Sequence, residues 1–238
     1  MRAGCWLGVL VALGLATSLH SMPSAAAGAS CPEPEPKTGN EWIDVADPRE
    51  CELLAAYPGV ARRDNLSLVL KLKNGTTVYY YDDEYAHIIE CGNHEDDVED
   101  CIIYRIWEVS PNRRYVTLLV GFYEGGAAYL IDRATGTELP LSSPPYLSPS
   151  GRYWAAVDED YAYGTGEIAV IGRRSGRPSI LASETRDYCE FEKWDTDSAF
   201  LITCYDFDAE ARAELRVTWD KVGALIMTPT GLTIPGGL

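Results

Sequence analysis

The chain has 238 residues, 46% of them hydrophobic, with 36 acidic side chains against 20 basic ones and a net charge of −16. That balance argues against nucleic acid and anionic membrane surfaces as partners. The partner class that suits it is a basic protein or a cationic ligand.

Residues 1–27 read as a secretory signal peptide. Arg2 is a short basic n-region, Trp6–Leu19 is an apolar run, and Ser24-Ala25-Ala26-Ala27 offers small residues for cleavage. The run is shorter than the roughly 20 residues of a membrane span, so no membrane span is expected. Cleavage near Ala27 makes the protein secreted or periplasmic. It also removes Arg2, which takes the net charge from −16 to −17. Cys5 lies in the leader; Cys31, Cys51, Cys91, Cys101, Cys189 and Cys204 remain. An even count behind a leader reads as three disulfides. Short loop closure favours the neighbours Cys31–Cys51, Cys91–Cys101 and Cys189–Cys204. No CxxC occurs, which argues against a zinc ribbon or a thioredoxin-like site.

Residues 28–60 divide into a Pro-rich lead-in and one short helix. Asp47 is its expected N-cap, Pro48 suits the first helical position, and Glu50 stands three after the cap. The helix is expected near 48–57, ending before Pro58-Gly59. From residue 61 the pattern turns to strands and holds to 228. Two alternating runs flank Asn74-Gly75, a strong hairpin signal, and close a first unit. The stretch Tyr81–Cys101 follows, crowded with acids and holding both histidines of the mature chain. Residues 229–238 are Gly/Pro-rich and read as a flexible tail.

Residues 104–181 say nearly the same thing twice. Ser110-Pro111-Asn112-Arg113-Arg114-Tyr115 recurs as Ser148-Pro149-Ser150-Gly151-Arg152-Tyr153. Asp132-Arg133-Ala134-Thr135-Gly136 recurs as Gly172-Arg173-Arg174-Ser175-Gly176. A period of about 40 with turn residues at fixed offsets means repeated sheet units. A fourth unit, from Cys189, keeps the strands and replaces Ser-Pro by Asp195-Thr196. The fold class is therefore all-β, made of repeated four-stranded antiparallel units with one short N-terminal helix. In that fourth unit a two-residue loop at Thr196-Asp197 sets Cys189 opposite Cys204. A three-residue loop sets it opposite Tyr205 instead, so the bridge then needs a bulge.

The Ser-Pro turns and the D/G-x-x-[TS]-G turns resemble the blade repeats of β-propellers of the TolB or WD-repeat type. The resemblance implies a small or partial propeller-like scaffold for binding and names no chemistry.

In a four-stranded meander the first and third turns share one edge, and the middle loops and unit connections share the other. The first edge takes Arg113, Arg114, Arg133, Arg152, Arg173, Arg174, Arg177 and Lys221. The second takes the acids Asp82, Asp83, Glu95, Asp96, Asp97, Asp158, Glu159, Asp160, Asp206 and Asp208, with Tyr161 and Tyr163 among them. The expected function is a non-catalytic binding protein that engages a cationic partner through this acidic rim. One alternative is a metal-assisted hydrolase, with His87 and His94 holding a divalent metal among the nearby carboxylates. Another is an inhibitor of a basic secreted enzyme. No catalytic residue is assigned and no cofactor is required: no GxSxG occurs, and carboxylate pairs are too abundant to single out one.

Overall fold

The computed structural model describes residues 41–83, 102–122, 125–158, 165–206 and 211–235. One helix, α1 (Glu41–Ala56), precedes four antiparallel sheets among these residues. The first sheet holds β1 (Ala61–Asp64), β2 (Ser67–Lys71) and β3 (Thr77–Tyr81). The second holds β4 (Ile103–Val109), β5 (Tyr115–Phe122), β6 (Gly125–Asp132) and β7 (Thr137–Leu141). The third holds β8 (Tyr146–Leu147), β9 (Trp154–Val157), β10 (Thr165–Arg174) and β11 (Arg177–Asp187). The fourth holds β12 (Cys189–Thr196), β13 (Ala199–Asp206), β14 (Ala211–Trp219) and β15 (Leu225–Pro235). Every strand pairs with its sequence neighbour in its sheet, so each sheet is a meander. The all-β, propeller-like reading of the repeat holds.

Three apolar clusters join consecutive sheets. Leu68, Leu70 and Tyr80 of the first sheet meet Ile106, Leu118 and Ile131 of the second. Leu119, Leu130 and Leu141 meet Trp154, Ala156 and Ile171 of the third. Val157, Ile168 and Val170 meet Phe200, Ile202 and Val217 of the fourth. Burying both faces of the middle sheets removes the polar/apolar alternation, which is why β5 is apolar almost throughout.

The Ser-Pro turn has a direct physical cause. The Ser110 hydroxyl accepts from the Tyr115 N–H at 2.8 Å, and the Ser110 N–H donates to the Tyr115 carbonyl at 2.9 Å. Ser148 repeats both bonds to Tyr153. A buried serine thus closes the loop without an extra strand residue. The turn also needs one left-handed residue: Gly151 has φ +70° and Arg113 has φ +54°.

Two expectations are corrected. The helix begins at Glu41, before the expected cap at Asp47, and runs through Pro48. Its packing against β4 outweighs the hydrogen bond that an interior proline forfeits. A third strand, β1, joins the hairpin of the first sheet within the stretch expected to be strands from residue 61. Residues 229–235 pair with β14 as the end of β15, where a loose tail was expected; Leu215 stands opposite Pro229 and Ala211 opposite Pro235.

The Cys189–Cys204 bridge forms, with the two residues directly opposite and Cα atoms 4.0 Å apart. The turn that precedes it is not the one expected. Thr196 pairs with Ala199, which puts the loop at Asp197-Ser198. Register then shifts twice, between Trp194 and Thr196 and between Phe191 and Lys193. Two single-residue bulges bring Cys189 back opposite Cys204. Cys51 is also disulfide-bonded. The pairings assigned to Cys31, Cys91 and Cys101 fall outside the described residues.

Candidate functional site

Two charged clusters stand out, and they differ in how their charge is balanced. The first lies on the open edge of β4. Glu50 from α1, Arg63 from β1, Asp82 after β3 and Arg105 on β4 are drawn together. Arg63 donates to Glu50 at 2.6 and 2.9 Å and to Asp82 at 3.0 Å; Arg105 donates to Asp82 at 2.7 Å. The same groups cap the strand edge. Asp82 accepts from the Tyr104 N–H, Glu50 accepts from the Ile106 N–H, and Arg63 donates to the Tyr104 carbonyl. A strand edge that would otherwise leave polar groups unpaired is closed by side chains. Among the described residues two carboxylates face two guanidiniums, and their bonds hold α1 and the first sheet on the second.

Asp82 is therefore not a rim residue; it is buried and committed to this network. Asp83 is half-buried beside it, its N–H bonded to the Ile102 carbonyl. Asp158 is half-buried at the end of β9, and its N–H donates to the Glu167 carbonyl. Asp206 closes β13 opposite Ala211. His87, His94, Glu95, Asp96, Asp97, Glu159, Asp160, Tyr161, Tyr163 and Asp208 lie outside the described residues.

The second cluster lies on the turn edge, where consecutive sheets are laced by polar side chains. Arg133 ties the first sheet to the second: its Nε donates to the Lys71 carbonyl and its Nη1 to the Arg113 carbonyl, each at 2.7 Å. The Lys73 N–H returns a bond to the Arg133 carbonyl at 2.8 Å. Arg114 ties the second sheet to the third, donating to the Gly176 carbonyl at 3.0 Å while forming two bonds to Asp132 at 2.9 and 2.6 Å. Asp197 ties the third to the fourth through the Ser150 N–H and Arg152.

Charge compensation along this edge is uneven. Arg114 has Asp132, Arg152 has Asp197 and Arg216 has Asp195. Lys71, Lys73, Arg113 and Arg133 at the first two turns, and Arg173, Arg174 and Arg177 at the third, have no carboxylate in ion-pair contact among the described residues. Most of these are exposed, but Arg133 is only 6% exposed. A buried cation without a counter-charge is costly. Burial first, and Arg113 second, hold the Arg133 pKa below the ordinary arginine range. Asp132 is the contrasting case. Burial alone would raise its carboxyl, yet the bonds from Arg114 and the Ala134 N–H hold it below the usual carboxylate range.

Sequence reasoning placed all of these arginines except Arg216 on the turn edge and gave the binding role to the opposite edge. The overlooked signal is Arg113 itself, a bulky residue at the position where the repeated turn uses Gly151.

No family model matches the chain, and no curated protein sequence matches it. Solved structures of similar arrangement include a Bacteroides uniformis protein described as a "putative 6-phosphogluconolactonase", at 10% identity and TM-score 0.35, covering 74% of this chain and 70% of that one. Another, from Bacteroides fragilis and described in the same words, gives 10% identity and TM-score 0.36, covering 71% of this chain and 64% of that one. At that identity no residue's role carries over. The expectation of a non-catalytic binder working through an acidic rim is corrected: Asp82 of that rim is buried and spent in an internal network.

Proposed function

We propose that this is an exported protein on blade repeats of the TolB or WD kind that holds an anionic ligand on the turn edge of its first three sheets. The observation that carries the reading is Arg133, a buried guanidinium with carbonyl partners and no carboxylate, in a row of exposed, uncompensated cations. In a chain of net charge −16, such a concentration needs a counter-charge from outside. Arginine suits that role because its planar fork matches oxyanions in two-point geometry. The leader-like residues 1–27 and the formed Cys189–Cys204 bridge support export to an oxidising compartment.

The test is calorimetric titration with inorganic tripolyphosphate. Wild type is expected to bind at low ionic strength and to weaken as salt shortens the Debye length from about 10 Å at 0.1 M. Replacing Arg173, Arg174 and Arg177 together by Glu is expected to weaken binding by about tenfold or more, since it removes three cations and adds three acids. Absence of binding by wild type at low salt overturns the reading. So does a triple variant that binds as tightly as wild type.

A further inference from the structure

The junction of the first and second sheets singles out one point on the turn edge. Of the three guanidinium nitrogens of Arg133, Nε and Nη1 are bonded to the Lys71 and Arg113 carbonyls. Nη2 makes no bond among the described residues and is not one of the buried orphaned atoms, so it keeps contact with solvent. A fixed, buried guanidinium that presents one donor outward is a preorganised half of an oxyanion site.

Arg113 supplies an independent sign. It holds a left-handed backbone, φ +54°, at the position where the next turn has Gly151 at φ +70°. A side chain there costs on the order of 1 kcal/mol relative to glycine. Its guanidinium lies over the Tyr57 ring, 5.5 Å from the centroid, which fixes its direction. After burial, its charge is the second cause that holds the Arg133 pKa down, so an anion at this junction would offset the repulsion on Arg133. Strain retained together with charge repulsion marks a position kept for something other than stability. The exposed Lys71 and Lys73 stand next to this pair, each joined to Arg133 through a backbone bond.

We propose that this junction binds a tetrahedral oxyanion of the phosphate type, held by the outward Nη2 of Arg133 and by Arg113, with Lys71 and Lys73 lending charge. The proposal rests on the anionic-ligand reading and narrows it to a subsite and a ligand class. The ligand is either the free ion or the terminal group of a phosphate monoester.

The experiment titrates wild type, Arg113→Gly and Arg133→Lys with inorganic phosphate and with methyl phosphate, by calorimetry and by thermal melting against chloride at matched ionic strength. Wild type is expected to bind and to melt higher in phosphate than in chloride. Arg113→Gly is expected to bind about tenfold more weakly. Its ligand-free melting temperature should be unchanged or raised by up to about 4 °C, because backbone strain is removed. That pairing of weaker binding with equal or greater stability is what a structural role for Arg113 would not produce. Arg133→Lys keeps the charge and loses the fork, so it should lose phosphate stabilisation as well. Tighter binding of the monoester assigns the site to an esterified ligand, and tighter binding of inorganic phosphate assigns it to the free ion. If phosphate protects no more than chloride, or if Arg113→Gly binds as wild type does, the proposal is overturned. Wild type that binds tripolyphosphate but not phosphate sinks this subsite and leaves the broader reading standing. A triple Arg173/Arg174/Arg177 variant with full tripolyphosphate affinity sinks the broader reading instead.

Discussion

Asp132 and Arg114 form the most buried of the ion pairs on the turn edge. The carboxyl is buried, bonded twice by Arg114, and held below its usual range. A carboxyl with a depressed folded pKa adds stability that is fully present above its unfolded value, about 3.9, and is lost as pH falls through the folded value. Asp132→Asn keeps the side-chain acceptor for the Ala134 N–H and removes the charge. The stability gap between wild type and variant, from urea midpoints, should be widest at neutral pH and should shrink below about pH 4. A gap that stays constant to strongly acidic pH would mean the ionic bond contributes nothing. This pair also marks what the sequence could say about the site. The position of every turn arginine was readable from the repeat. Whether each had a partner was not, because Asp132 and Asp195 precede their turns in the chain and reach their arginines only once the hairpins close. Asp82 misled for the converse reason: an acid beside Asp83 and Glu84 reads as solvated until Arg63 and Arg105 fold onto it.

The strands were the most legible elements, because turn signals and apolar runs are local. The start of α1 and the register of β12 were not, because both are set by partners distant in sequence. α1 takes its length from packing on β4, against the local signal of Pro48. β12 offsets a loop one residue later than expected by means of two bulges. The bulges skip Glu192 and Asp195, so each changes the pairing sum of β12 against β13 by one residue. Deleting Asp195 removes the unpaired residue of one bulge and leaves every pair from Trp194–Phe200 to Cys189–Cys204 in place. The expected outcome is an intact Cys189–Cys204 bridge, detected by alkylation and mass spectrometry of the native protein. Free thiol at both positions in the deletion variant would show that the bulge itself is needed to hold the two cysteines opposite each other.

At the scale of the molecule the four sheets form a series. One apolar cluster and one polar clasp join each neighbouring pair: Arg133 between the first and second sheets, Arg114 between the second and third, Asp197 between the third and fourth. Among the described residues no apolar cluster joins the fourth sheet to the first. Stability in such a series is close to a sum over neighbouring interfaces, so breaking the middle one should uncouple the two ends. Trp154 is the largest fully buried side chain in that middle interface, 1% exposed and edge-on to Tyr115 at 4.7 Å between centroids. Trp154→Ala is expected to cost about 3–5 kcal/mol of interface energy through lost burial and the cavity left behind. The third and fourth sheets keep their own cluster around Phe200, and the first and second keep theirs around Leu68, Leu70 and Ile106. Urea unfolding of the variant should therefore separate into two transitions. Tryptophan emission draws on Trp42 and Trp107 ahead of the broken interface and on Trp194 and Trp219 in the fourth sheet, so it should change in two steps, as should far-UV circular dichroism, which reads all four sheets. Wild type should give one coincident transition. A variant that is destabilised yet still unfolds in one coincident step would mean the first and fourth sheets are coupled directly, so that the series is a ring.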